Sequence, residues 1–143
     1  MQRNLDIETR GVAFYEITQR LNTWLKEIEA SEGLLTLLVR HTTASLLIQD
    51  NVDKTVQADL RAFLEQLVPV PDDPSSRDQR PTYERPNDMP SHVKAALLPV
   101  SLSIPVSEGR LLLGTWQGVY LFEHRARPHR RHVAVHYCGP CKA

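Results

Sequence analysis

The apolar residues of this chain change their spacing along its length, and that change restricts the fold more than any other feature. Between Val12 and Ala30, the residues Phe14, Ile17, Leu21, Trp24, Leu25 and Ile28 recur at three- and four-residue steps. That is the spacing of a helix with one buried face, and it stops near Gly33. Asp53 is a good N-cap for a second helix carrying Val56, Leu60, Phe63, Leu64 and Leu67 on one side, ending at Pro69. A short helix starts at Pro90, behind Asp88 as its cap. Elsewhere the pattern is that of strands. Leu5 and Ile7 alternate with polar residues, Leu34 to Val39 and Ser45 to Ile48 are compact apolar runs, and Leu102 and Ile104 alternate with serines. The turn Ser107-Glu108-Gly109-Arg110 leads into Leu111 to Leu113, and a second hairpin joins Val119–Glu123 to Val133–Tyr137 around the basic loop Arg125 to Arg131.

This order predicts an α+β fold, with a mixed or antiparallel sheet, two main helices and a short helix. A doubly wound fold would alternate strand and helix throughout. At 143 residues the chain reads as one domain over 1–143, with a Pro-rich loop at 69–90 and a tail at 138–143. Pro69, Pro71, Pro74, Pro81, Pro86 and Pro90 make the loop about as long as structureless connections become. Apolar runs fall short of the roughly 20 residues of a membrane span, and the polar N-terminus lacks a signal-peptide core. A cytoplasmic protein with no membrane partner is expected.

The net charge is zero but unevenly spread. Six Lys and Arg lie between Arg110 and Ala143 against one acid, Glu123, which leaves 17 − 6 = 11 bases and 17 − 1 = 16 acids in the rest. A basic C-terminal section suits an anion. A neutral chain does not suit general nucleic-acid binding, so no nucleic-acid partner is expected. The two cysteines form Cys138-Gly139-Pro140-Cys141. No helix can follow them to acidify a thiol, so they read as ordinary thiols in a tail turn.

Candidate chemistry gathers in two runs. His41-Thr42-Thr43-Ala44-Ser45 places an imidazole and three hydroxyls at the end of an apolar segment. Gly114-Thr115-Trp116-Gln117-Gly118 places a ring and an amide at a bend between two others. Trp116 reads as core packing, as a large aromatic usually is. Gln117 needs hydrogen-bond partners if buried. Asp53 reads as a cap, and Asp50 is placed to share a site with His41. His129 and His132 read as solvated residues of a hairpin tip. Strand parity puts Gln117, Val119, Leu121 and Glu123 on one face and Gly118, Tyr120, Phe122 and His124 on the other. Gln117 and His124 therefore diverge unless a bulge or a neighbouring subunit intervenes.

Taken with Asp50-Asn51-x-Asp53, Asn87-Asp88-Met89-Pro90-Ser91-His92-Val93-Lys94 and Glu123-His124-Arg125, these runs resemble the YjbQ-like family. The resemblance covers nearly the whole chain. It implies a homotrimer with sheets packed around a threefold axis, and a histidine-lined cleft for a metal or an anion. It also implies a weak thiamine-phosphate synthase activity, joining a pyrimidine diphosphate to a thiazole phosphate and releasing pyrophosphate. Carried onto this chain, the catalytic candidates are His41, Asp50, His92 and Gln117. Thr43, Ser45, Asn51, His124 and Arg125 are candidates for holding substrate phosphate, and His41 and His92 for holding a divalent metal, zinc or magnesium. Asp50 stands where the family often has Glu. Family members commonly carry another histidine near a Tyr. Here Tyr83 is present, but no histidine lies between His41 and His92. A metal would use a carboxylate such as Asp50 or Glu84 in its stead, or be absent. Three readings result: a transferase, a non-catalytic trimer that binds a small molecule or anion at a degenerate metal site, and a partner-binding module using the basic hairpin.

Overall fold

The computed structural model describes residues 1–69 and 89–142. Among these residues, eleven elements follow one another: β1 (Gln2–Thr9), β2 (Ala13–Glu16), α1 (Thr18–Glu27), β3 (Gly33–Val39), β4 (Ala44–Asp50), α2 (Lys54–Leu67), α3 (Met89–Leu97), β5 (Ser101–Ser107), β6 (Arg110–Leu111), β7 (Gln117–Glu123) and β8 (His129–Cys138). The fold is α+β. A five-stranded sheet has the order β1-β8-β3-β5-β6 and a three-stranded sheet the order β2-β7-β4. Strand pairs in both are antiparallel. Among the described residues, no helix is long and apolar enough to cross a membrane. The Pro-rich stretch 70–88, with Tyr83, Glu84 and the expected cap Asp88, lies outside the described residues.

One core joins the two sheets. Leu5 and Ile7 of β1, Leu35 and Leu37 of β3, Val119 and Leu121 of β7 and Val133 and Val135 of β8 contribute to it, closed by Leu21, Trp24 and Leu25 of α1. Each strand sends alternate residues inward, as the buried–exposed alternation of β3 and β8 shows. The opposite face of β7 carries Tyr120, Phe122 and His124, against which Phe14 of β2 stacks at 4.1 Å from the Phe122 ring. Helices α2 and α3 contact β4. Asp53 caps α2 as its sequence implies, accepting from the Thr55 amide at 2.9 Å.

Two expectations are corrected. Residues 13–16 are strand rather than the first turns of a helix, because Phe14 and Tyr15 pair with Phe122 and Leu121 and complete a sheet. Helical spacing of Phe14 and Ile17 survives, but tertiary pairing decides the backbone. Secondly, β7 and β8 do not form a hairpin. They enter different sheets, so the chain between Glu123 and His129 crosses from one layer to the other.

Candidate functional site

At that crossing, charge is buried between the layers. Glu123 has no exposed surface and Arg131 only 3%. Both follow strand parity: Glu123 continues the inward row Val119, Leu121, and Arg131 precedes Val133 and Val135. The Arg131 Nε donates to Glu123 Oε1 at 2.7 Å, and its Nη2 bonds Glu123 Oε2 in a second, short contact. The same Nη2 donates to the Thr43 hydroxyl at 2.8 Å and the Thr43 carbonyl at 3.2 Å. Thr9 donates to Glu123 Oε1 at 2.6 Å, and the Arg125 amide donates to Oε2 at 3.2 Å. Both charges thus have several partners, which a buried ion pair requires. Burial pushes the Glu123 carboxyl up, but the Arg131 and Thr9 hydrogen bonds and the Arg131 charge outweigh it and hold the group below its ordinary value. The pair ties β1, β7, β8 and the segment before β4 into one rigid end.

Two imidazoles flank this pair. His124 is buried, its Nε2 2.8 Å from the Ser45 hydroxyl. Burial, and after it the nearby Lys94 charge, lowers its pKa to about 4, so the ring is neutral at pH 7. Among the described residues, its Nδ1 is buried with no hydrogen-bond partner. Lys94 of α3 is itself buried, and burial lowers its pKa. Ser91, beside His92, donates to the His124 carbonyl at 3.1 Å and docks the start of α3 at this end.

On the other side, His41 accepts the His132 amide at Nε2, 2.9 Å away. Nδ1 must then carry the proton, and the ring acts as a donor. Burial and the Arg131 charge lower its pKa. The His132 ring stacks on His41 with centroids 5.4 Å apart. Its Nδ1 lies 2.6 Å from Asp6 Oδ1, and this bond is the main reason Asp6 sits below the ordinary carboxylate value. His129 and His132 are thus corrected from loop-tip residues to residues of β8, where they pair with Thr9 and Asp6.

The structure brings His41, Thr43, Ser45, His124 and Arg125 to this end, with α3 and its His92 docked through Ser91. It does not bring Asp50, Asn51 or Gln117 there. In the β4–β7 ladder, Ala44 faces Glu123 and Asp50 faces Gln117, six residues or about 20 Å along the strand. Asp50 therefore does not share a site with His41 within one chain. Its Oδ1 accepts the amides of Val52 and Asp53 at 2.8 and 2.7 Å, shaping the entry to α2. Gln117 Oε1 accepts the Gly114 amide at 2.8 Å and closes its own turn. Trp116 is 62% exposed and is not core, because that turn holds it outside both layers. The sequence reading missed Thr9, Lys94 and Arg131. Parity with the apolar rows was the available signal for Thr9 and Arg131.

Among the described residues, no group of three His, Cys, Asp or Glu could hold a metal ion, and the Nε2 lone pair of His41 is already engaged. The described residues of one chain therefore do not make a zinc or magnesium site.

Comparison with known proteins gives a consistent family. The family model described as UPF0047 protein YjbQ-like matches residues 3–140. A UPF0047 protein of Synechocystis is 44% identical over 138 residues, covering 96% of this chain and 91% of the relative. The UPF0047 protein YjbQ of Salmonella typhimurium is 44% identical over 125 residues, 87% of each chain. Among solved structures, a conserved hypothetical protein from Thermus thermophilus superposes with a TM-score of 0.79 at 32% identity, covering 95% of this chain and 99% of that one. An uncharacterized conserved protein of the yjbq/upf0047 family from Clostridium acetobutylicum gives 0.75 at 28% identity, covering 96% and 99%.

Proposed function

The chain belongs to the YjbQ-like UPF0047 family, and on that footing we propose that it is a homotrimer that binds a phosphorylated small molecule at the Glu123–Arg131 end of its fold. One observation carries this reading. The Nδ1 of His124 is buried beside the buried Lys94 and, among the described residues, has no hydrogen-bond partner. An unsatisfied buried polar atom costs about 1–3 kcal/mol, and a ligand oxygen would relieve that cost. The surroundings favour an anion. Arg131 and Lys94 both depress the neighbouring histidines, so the local potential is positive.

The reaction that fits is transfer with pyrophosphate as leaving group, in which cations offset the charge growing on the departing oxygens. Lys94 and Arg125 supply charge, and the His41 Nδ1–H supplies a neutral donor.

Isothermal titration with inorganic pyrophosphate tests the binding, and release of pyrophosphate from the pyrimidine diphosphate and thiazole phosphate pair tests the chemistry. Wild-type protein is expected to bind, and His124→Gln to bind at least roughly tenfold more weakly, about 1.4 kcal/mol. Equal affinity of the two proteins would remove the basis for placing the anion at His124. Binding without turnover would identify the non-catalytic alternative.

A further inference from the structure

The anion site makes no use of Cys138-Gly139-Pro140-Cys141. Both thiols are free and exposed. The segment that carries them is nonetheless firmly seated. Cys138 ends β8 opposite Leu34 of β3, and Cys141 forms an isolated antiparallel bridge with Ala30. Three donors converge on the Pro140 carbonyl between them: the Ser31 amide at 3.1 Å, the Ser31 hydroxyl at 2.9 Å and the Tyr137 hydroxyl at 2.8 Å. Tyr137 shares the same proton with the Glu32 carbonyl at 2.9 Å, and the Lys142 amide donates to the Glu29 carbonyl at 2.8 Å. Gly139 lies so close to this seat that a methyl there would meet the Glu32 carbonyl oxygen and, at 2.7 Å, the Tyr137 hydroxyl. The turn that forms the seat holds Glu29 at φ 55°, an uncommon conformation for a residue other than glycine.

The seat and a disulfide between the two cysteines oppose each other. Leu34 and Ala30, the partners of Cys138 and Cys141, stand four positions apart, so the three-step segment facing them is drawn out. Residues three apart in extended chain are separated by about 10 Å. A disulfide holds its two Cα atoms about 4.4–6.8 Å apart. Closing one pulls Cys141 off Ala30, and with it the Pro140 carbonyl and the Lys142 amide off their partners.

We propose that Cys138 and Cys141 form a thiol–disulfide exchange site, which takes a small-molecule disulfide as oxidant and frees the segment 139–142 from its seat on closing. One cysteine thiolate attacks the small disulfide. That S–S bond breaks, one small thiolate leaves and takes up a proton, and a mixed disulfide remains on the chain. The second cysteine attacks the protein sulfur of the mixed disulfide, whose S–S bond breaks, and the second small thiol leaves. Two protein thiols are oxidised, one small disulfide is reduced to two thiols, and the two cysteine protons pass to them. Accessible sulfurs and a resolving partner suffice for this chemistry. The release has a structural consequence independent of the anion site. Lys142 lines an open groove between α1 and the turn before β6, with Lys26, Glu29, Glu108 and Arg110, so its departure removes a cation and widens the groove on that side.

Oxidised glutathione is the probe, added to the full chain, with intact mass, thiol titration and amide hydrogen exchange as readouts. The expected product is lighter by two hydrogen atoms, carries no glutathione and has lost both free thiols. Its Ser31 and Lys142 amides are expected to exchange at least roughly tenfold faster than in the dithiol form, while the interior of β3 is unchanged. Ser31→Ala removes one bond to Pro140 outside the core and is expected to reach half oxidation at a lower ratio of oxidised to reduced glutathione than wild type. Cys141→Ser is expected to stop at the mixed disulfide. A wild-type chain that retains glutathione, joins a second copy through sulfur or does not react overturns the exchange site. A closed disulfide with Ser31 and Lys142 still protected overturns the release of the segment, and so does equal half oxidation of wild type and Ser31→Ala.

Discussion

Protonating His124 destabilises the folded chain, and the size of the effect follows from its environment. Burial and Lys94 lower the folded pKa from 6.5 to about 4. The unfolded chain therefore binds the proton first as pH falls. Between pH 6.5 and 4 the unfolded state carries more protons at this site, so stability rises with pH there and falls as acid is added. At 1.36 kcal/mol per pKa unit, the full loss is about 3 kcal/mol, nearly complete by pH 4. The ring is 4% exposed, so solvent screening reduces this little. The assay is urea unfolding at fixed protein concentration, at steps from pH 7.5 to 4.5, for wild type and His124→Gln. His41 is depressed in the same direction and contributes to the slope of both proteins, so the difference between the two curves isolates His124. Acid loss of the Glu123 contribution occurs below its unfolded pKa near 4.5, outside most of the window. The two stability curves should converge by about 2–3 kcal/mol on going to pH 4.5. Parallel curves would show that His124 ionises as freely in the fold as outside it, and the buried-site reasoning would fail.

Glu123→Gln removes the charge that neutralises Arg131 while keeping the shape. An uncompensated buried guanidinium costs about 3–5 kcal/mol, so thermal unfolding should show a large loss. A loss under about 1 kcal/mol would mean that water reaches the pair. Gly33→Ala adds a methyl against the Cys138 carbonyl oxygen and 2.8 Å from Tyr137 Cε1. Backbone cannot move aside cheaply, and about 1–3 kcal/mol of destabilisation is expected from denaturant titration. An unchanged midpoint would contradict the close approach of β3 and β8 at that position.

Much of the fold was legible because local rules and tertiary demands agree there. Leu34 to Val39 is apolar on both faces except at Thr36, as an interior strand flanked by β8 and β5 can be. Asp53 caps α2 because a carboxylate at that position accepts a free amide whatever packs nearby. Failure came where tertiary pairing overrode local pattern. Ala13 to Glu16 has helical spacing, yet Phe14 gains a stack on Phe122 only if the backbone extends. The short connection from Glu123 to His129 reads as a hairpin by length alone. Length does not say which sheet receives the second strand.

The site was half legible for a reason that parity makes plain. Thr9 extends the inward row Leu5, Ile7; Glu123 extends Val119, Leu121; Arg131 begins the row that continues Val133, Val135, Tyr137. Three apolar rows each end in a polar residue facing the core. A polar residue in such a row is exposed, or it meets other polar residues arriving from facing rows. Thr9, Glu123 and Arg131 come from strands of two sheets, so their meeting brings the matching ends of the two layers together and locates the buried pair. Single-strand reading sees each as an isolated exception; the three together form one constraint. Asp50 and Gln117 fail the same test. Asp50 closes a turn before α2 and Gln117 a turn after Gly114, and the ladder that pairs them sets them at the far end. Proximity in sequence to His41 therefore predicted the wrong neighbour for Asp50, because β4 carries the chain away from the histidine by its own length before the carboxylate is reached.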